Sequence, residues 1–144
     1  MEVLNFHFQD HSYCLEISRV SEILNTAKVL ALPGAPPAFD GIFQVRGRIV
    51  NLLNFCRCFG EENSGEPSSI VVLAGDLNQF ALRVPDPVEV KSLDFNNTQF
   101  PENAGGVVRI LHGTTSDGVE IHHLISPDRL LSYTAEVIDA WRCA

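Results

Sequence analysis

Gly41–Phe55 reads GIFQVRGRIVNLLNF. Strand-forming residues run to either side of an Arg46-Gly47-Arg48 interruption, IFQV before it and IVNLLNF after it. Two such runs around a short glycine-containing break read as a β-hairpin. With Val45–Arg46 ending one strand and Ile49–Val50 beginning the next, Gly47 and Arg48 become the central residues of a two-residue turn. Glycine in the first of those places fits type II′. Arg46 then stands at the mouth of the hairpin, as a solubilising charge or as a guanidinium held by rigid strands for a partner.

The same pattern recurs outward from the hairpin. LNFHF sets Leu4, Phe6 and Phe8 on one strand face and Asn5 and His7 on the other, QDHS turns the chain, and YCLEI repeats the alternation with Tyr13, Leu15 and Ile17. KVLAL, IFQV, IVNLLNF, IVVLAG, QFALRV, VEVKSL, VVRILHG and VEIHHLI bring the count to about ten short strands, evenly spaced as in small barrels or sandwiches. SRVSEIL predicts about one and a half helical turns with Val20, Ile23 and Leu24 at i, i+3, i+4. A clearer helix follows Ser126 as cap and Pro127 as first residue, with Leu130, Val137, Ile138 and Trp141 on one side. Glu61–Ser69, EENSGEPSS, reads as a polar surface loop with about five strands on each side. Neither half is large enough for a generous core, so the halves should pack together as one cooperative unit with a seam suited to binding.

Composition narrows the function. The 144 residues are 45% hydrophobic and 19% charged with a mean hydropathy of +0.08, which is the profile of a packed globular chain. A net charge of −8 argues against nucleic acid as a partner, because phosphate binding needs a surplus of Lys and Arg. No apolar run is long enough for direct membrane insertion and MEVLNFHFQD is not a signal peptide, so a cytoplasmic location is expected. Cys14, Cys56, Cys58 and Cys143 lack the paired spacing of a zinc site and read as reduced thiols; no metal and no cofactor are expected. The Asn96 sequon carries no meaning in a cytoplasmic protein.

Read from Ala38, AFDGIFQVRGRIVNLLNF resembles the signature of CheW-like chemotaxis coupling proteins, with Gly41, Val45, Arg46, Gly47, Ile49 and Val50 matching and Pro33 and Pro37 leading in. YCLEISRVSEIL resembles the family's strand followed by Val-x-Glu-hydrophobic, carried here by Val20, Glu22 and Ile23. QFALRVPDPVEVKSL and LISPDRLL stand where the later strands and final helix would fall. The resemblance implies an all-β fold of two packed SH3-like five-stranded barrels with a C-terminal helix, in a single CheW-like domain over 1–144. The first barrel would span about 10–60, the second about 70–125 plus the N-terminal strand, and the helix 126–143.

The implied function is that of a non-enzymatic signalling adaptor. Its partners would be the regulatory domain of a CheA-type histidine kinase and the cytoplasmic tip of a methyl-accepting chemoreceptor, which can recruit it to receptor arrays. Val20, Glu22, Ile23, Arg46 and Gly47 would form its protein-binding surface, although Val20 and Ile23 suit barrel core equally well. The chain departs from the signature at Asn51, Asn54 and Val84-Pro85-Asp86-Pro87-Val88, where two prolines point to an edge or bulge. These departures allow a divergent chemosensory or surface-motility pathway, or a stand-alone regulator that competes for the same partners.

A small ligand- or metal-binding barrel is the other class. Its best material is His122 and His123 with His112, Asp117 and Glu120, but adjacent strand residues face opposite ways and cannot readily share an ion. The histidines read as strand-surface or edge residues. No nucleophile elbow, phosphate loop or His-Glu-x-x-His occurs, so no catalytic residues are expected.

Overall fold

The computed structural model describes residues 1–61, 67–95 and 109–143, the last three by backbone alone. Within them the chain forms β1 (Glu2–Phe8), β2 (His11–Glu16), β3 (Val20–Leu24), β4 (Phe39–Val45), β5 (Arg48–Asn54), β6 (Ser68–Leu73), β7 (Phe80–Pro85), β8 (Glu89–Ser92), β9 (Leu111–Ser116) and β10 (Ile121–Ile125). The short helix α1 (Phe55–Cys58) follows β5, and α2 (Pro127–Cys143) follows β10. Residues 62–66 of the expected loop, Asn96, Val107, Val108 and the Trp141 and Cys143 side chains lie outside the described residues.

The architecture is the expected one: mostly β, two five-stranded sheets and a C-terminal helix. The sheets have the orders β8-β1-β2-β10-β9 and β3-β6-β7-β5-β4. Among the described residues neither order closes into a continuous hydrogen-bonded barrel, and side chains link the ends of each sheet instead. Thr115 donates its hydroxyl to the Asp94 carbonyl at 2.7 Å and Lys91 lies 3.7 Å from Glu120 in the first sheet. Arg46 meets Glu22 in the second.

The division along the chain differs from the expected one at 10–60 and 70–125. β2 belongs with β1 and β8–β10, while β6 and β7 join β3–β5. The reason is local. Phe8 pairs with His11, so only Gln9 and Asp10, both at positive φ, connect β1 to β2, and so tight a hairpin cannot be shared between two sheets. The sheets therefore interleave in sequence, joined to their late strands by the parallel pairs β2–β10 and β5–β7.

The main core lies between the sheets. Leu4, Phe6, Phe8, Tyr13 and Leu15 from one meet Leu53, Val71, Leu73, Leu82 and Val84 from the other, with Phe55 of α1 edge-on to Phe6 and Phe8 at 5.0 and 5.4 Å. Each such side chain contributes about 1.5–3 kcal/mol when fully buried. A second core of Phe43, Val45, Val50, Leu52, Ile70, Val72 and Ala81 fills the other face of the second sheet. The helix packs as expected through Leu130, and the Ser126 side chain accepts from the Arg129 N–H at 3.3 Å.

Three local expectations are corrected. SRVSEIL is not an amphipathic helix: Ile17–Arg19 makes one 3-10 turn and Val20–Leu24 is β3. KVLAL is not a strand, contributing only the Leu30–Ile42 bridge. The segment ending Val84-Pro85 is not at an edge, since β7 lies between β6 and β5; Pro85 is tolerated as its last residue.

Candidate protein-binding surface

The hairpin singled out in the sequence is present, with a different turn. Val45 pairs with Arg48, which leaves Arg46 and Gly47 as the central residues, at φ 49° and 79°. Positive φ at both places makes a type I′ turn rather than the type II′ turn over Gly47-Arg48. Arg46 therefore occupies the turn itself and Arg48 opens β5. Gly47 suits its backbone without strain, whereas an L-residue such as Arg46 in this region costs about 1–2 kcal/mol.

The turn brings two of the candidate residues together. Arg46 Nη2 lies 3.6 Å from Glu22 Oε2, with the arginine side chain 83% exposed and the glutamate 22%. A pair this exposed adds little stability. Its geometric effect is larger, because it ties the hairpin tip to β3.

β3 carries the other candidates. Val20 pairs with Leu73, Glu22 with Val72 and Ile23 with Val71, so Ser21 is an extra residue in a bulge. The bulge resets the alternation and sets Val20 and Ile23 on one face, that of Leu73 and Val71. Val20 packs against the main core, and Ile23 is 40% exposed. Val20 thus serves the core and Ile23 the surface.

A polar hub fixes the base of the hairpin. Asp40 accepts from Arg83 Nε at 2.7 Å, approaches Arg57 at 3.6 Å and accepts from the Asn54 side-chain amide at 3.3 Å. Asn54 also caps α1, accepting from the Arg57 N–H, and Asn51 donates to the Gln79 carbonyl at 3.1 Å. The two asparagines that depart from the signature thus join β5 to its neighbours. Gly41, at φ 146°, is needed because a side chain there would run into the Leu30 carbonyl.

Sequence reasoning missed an open groove of about 630 Å³ beside the hairpin, lined by Lys28, Val29, Leu30, Ile42, Phe43, Gln44 and Ile49. Leu30 and Ile49 are both 62% exposed. The signal available was KVLAL, whose continuous apolar run reads as strand when only one residue pairs.

The histidines of the alternative class separate as their adjacency requires, but His122 is fully buried, a correction to its expected surface position. Ser12 Oγ lies 2.6 Å from its Nδ1 and Asp117 Oδ2 is 2.8 Å from its Nε2. The Asn5 side-chain amide donates to the Ser12 oxygen, and the ring Nε2–H donates to the Asp117 carboxylate. The bond from His122 and backbone N–H groups of Glu120 and Val119 hold the Asp117 carboxyl well below the usual range. Burial pushes His123 down, with His11 and His122 adding repulsion. Among the described residues no cluster of His, Cys, Asp and Glu is placed to hold a metal ion, and no helix is long and apolar enough to cross a membrane.

Comparison with known proteins agrees with this geometry. A family model described as CheW-like domain matches residues 2–135. A search of curated protein sequences finds no match. Among solved structures, the scaffolding protein TtCheW from Thermoanaerobacter tengcongensis superimposes with a TM-score of 0.77 at 22% identity, over 90% of this chain and 86% of that one. At that identity the likeness establishes the fold.

Proposed function

Because this chain belongs to the CheW-like domain family, we propose that it is a non-enzymatic adaptor of chemotaxis-type signalling. In this reading it works in the cytoplasm, coupling the tip of a methyl-accepting chemoreceptor to the regulatory domain of a CheA-type histidine kinase. The observation that carries the reading is the placement of Arg46. The residue sits in a strained two-residue turn between rigid strands, largely exposed, with Glu22 on one side and the half-exposed Ile23 on the same neighbouring strand.

An amphipathic helix laid across β3 would cover Ile23 with its apolar side and meet the Arg46 guanidinium with a carboxylate or a carbonyl edge. The turn fixes the arginine backbone beforehand, which lowers the entropy lost on binding. Gly47 supports the turn and Val20 supports β3 from beneath, so neither needs to touch the partner.

The test is capture of the purified receptor tip and kinase regulatory domain by wild type, Arg46→Ala and Asp139→Ala, the last an exposed site on α2. The reading expects a ternary complex, about thirtyfold weaker with Arg46→Ala if the arginine is a central anchor, and unchanged with Asp139→Ala. Binary complexes that exclude one another would make the protein a competitor rather than a connector, and capture of neither partner would end the adaptor reading.

A further inference from the structure

The first sheet is joined across a short junction. In its order β8-β1-β2-β10-β9, the β9–β10 hairpin meets the other strands through β2, by a parallel ladder of three residue pairs: Ser12–His122, Tyr13–His123 and Cys14–Leu124. Parallel pairing is slightly less stable per residue than antiparallel. Past the ladder the register of β10 with β9 shifts between Leu124 and Ile125, and from there the chain is anchored in the main core by Ile125 and Leu130. The other end of the ladder is where the histidines gather.

The two faces of that end treat a proton differently. On one face His122 is bonded to Ser12 and Asp117, and His7 lies 3.2 Å from Glu120. On the other face the His123 ring lies 5.6 Å, centroid to centroid, from both Tyr13 and His11, with its Nδ1 3.0 Å from the Thr114 hydroxyl. The groups facing His123 are therefore His11 and Tyr13 from β2 and Thr114 from β9, with His122 beside it on β10. Burial pushes the Tyr13 phenol up, so it stays neutral. Among the described residues, neither His11 nor His123 is ion-paired with a carboxylate. A proton on His7 or His122 thus meets a carboxylate, whereas protons on His11 and His123 meet each other.

We propose that the His11–His123 contact is a proton-operated latch: as neutral rings the two hold β10 against β2 over Tyr13, and as imidazolium ions they part and let the start of β10 swing away about the Leu124–Ile125 bulge. In the closed form, burial and the neighbouring His11 hold His123 below the ordinary histidine range. The swing returns it to water, where a histidine titrates near about pH 6.5. The open form therefore binds protons more readily, so acid favours it and the effect fades above about pH 7. Cys14, buried against Val3 and Leu124, loses the cover of Leu124 on opening. The latch does not depend on the chain being an adaptor.

The experiment follows thiol labelling of the intact protein between about pH 7.5 and about pH 5.5, reading the Cys14 rate relative to that of Cys58 by peptide mass mapping. Cys58 is buried beside α2, away from the latch, and taking the ratio cancels the reagent's own pH dependence. One histidine held neutral in the closed form gives at most about a tenfold rise in this ratio over that range, and the latch predicts a rise of about threefold or more. The rise should vanish in H11Q/H123Q and persist in His7→Gln, on the opposite face. Thermal melts at neutral pH establish that each variant is folded. Should the double variant not fold, His11→Gln alone, at an exposed position, should reduce the rise. A ratio that stays flat in the wild type overturns the proposal. So does a rise that H11Q/H123Q or His11→Gln leaves unchanged, or one that His7→Gln abolishes.

Discussion

Arg46 Nη2 stands 3.6 Å from Glu22 Oε2, joining the β4–β5 turn to β3, the strand at the opposite end of the same sheet's hydrogen-bonded order. The sheet is thus curled until its two ends meet through side chains. Both partners of this contact are residues that the signature resemblance marks, so under the proposed function closure and recognition would use the same arginine.

Stability and binding should separate at this residue. Arg46→Ala keeps the strained φ and loses only an exposed ion pair, so its stability should stay within about 0.5 kcal/mol of wild type. Arg46→Gly relieves the strain and should be more stable than Arg46→Ala by about 0.5–1 kcal/mol. Both should lose partner affinity alike. Chemical denaturation alongside affinity measurements checks this, and a glycine variant that binds like wild type would show that the guanidinium is not the anchor.

Gly41 and Gly47 offer a second contrast. Both have positive φ, but a side chain at Gly41 meets the Leu30 carbonyl while one at Gly47 meets nothing within 4 Å. Gly47→Ala should cost about 1 kcal/mol from backbone strain alone. Gly41→Ala should cost distinctly more, about 2–4 kcal/mol, because the Leu30–Ile42 bridge must also shift. Equal denaturation midpoints for the two variants would contradict the close approach.

The Asp117 carboxyl is held well below its usual range by His122 and by two backbone N–H groups. A folded-state value below the unfolded one adds stability that is complete above about pH 4, the unfolded value, and is lost as pH falls toward the folded one. Asp117→Asn should therefore melt below wild type near neutrality, with the gap narrowing steadily once pH drops under about 4. Melting curves across that range test it; a gap that stays constant into acid would mean that the charge of Asp117 is not what holds the His122 ring.

Burial pushes the Cys14 and Cys58 thiols up to about 11. At pH 8 their thiolate fraction is then on the order of one in a thousand, against roughly a quarter for an ordinary cysteine. Labelling of both by a disulfide reagent should be slower than that of a free thiol by a hundredfold or more and become rapid in denaturant. Fast labelling of either in the native protein would contradict its buried placement.

How much of this was legible in the sequence depended on range. Leu4, Phe6 and Phe8 announce their strand because alternation is local, and the hairpin at Arg46-Gly47 is visible for the same reason. VSEIL misled because the Ser21 bulge sets Val20 and Ile23 on one face, which copies the i, i+3 spacing of a helix inside a strand. His122 looked like a surface residue because the partners that let it be buried, Ser12 and Asn5, lie more than a hundred positions away. The groove at Gln44 is invisible for a related reason: an open edge is a missing pairing, and nothing in KVLAL says that only Leu30 will pair. Within the candidate site, the resemblance put Arg46 and Glu22 on one surface and the two side chains do meet, while the turn type and the division of labour between Val20 and Ile23 needed three dimensions.

The interleaving of the sheets has a consequence for the chain as it leaves the ribosome. The β3–β7 sheet needs nothing beyond Pro85, whereas β2 lacks its parallel neighbour until Ile125 has been made, about 40 residues later. At ~5–20 residues per second that is a wait of roughly 2–8 s, far longer than a hairpin takes to form. Through that interval the β1–β2 hairpin carries Leu4, Phe6 and Phe8 uncovered unless it settles on Leu53 and Phe55, which are already in place. The earlier sheet is thus available as a surface for assembling the later one, and the aromatic contacts of Phe55 with Phe6 and Phe8 are the place where the two would join during synthesis.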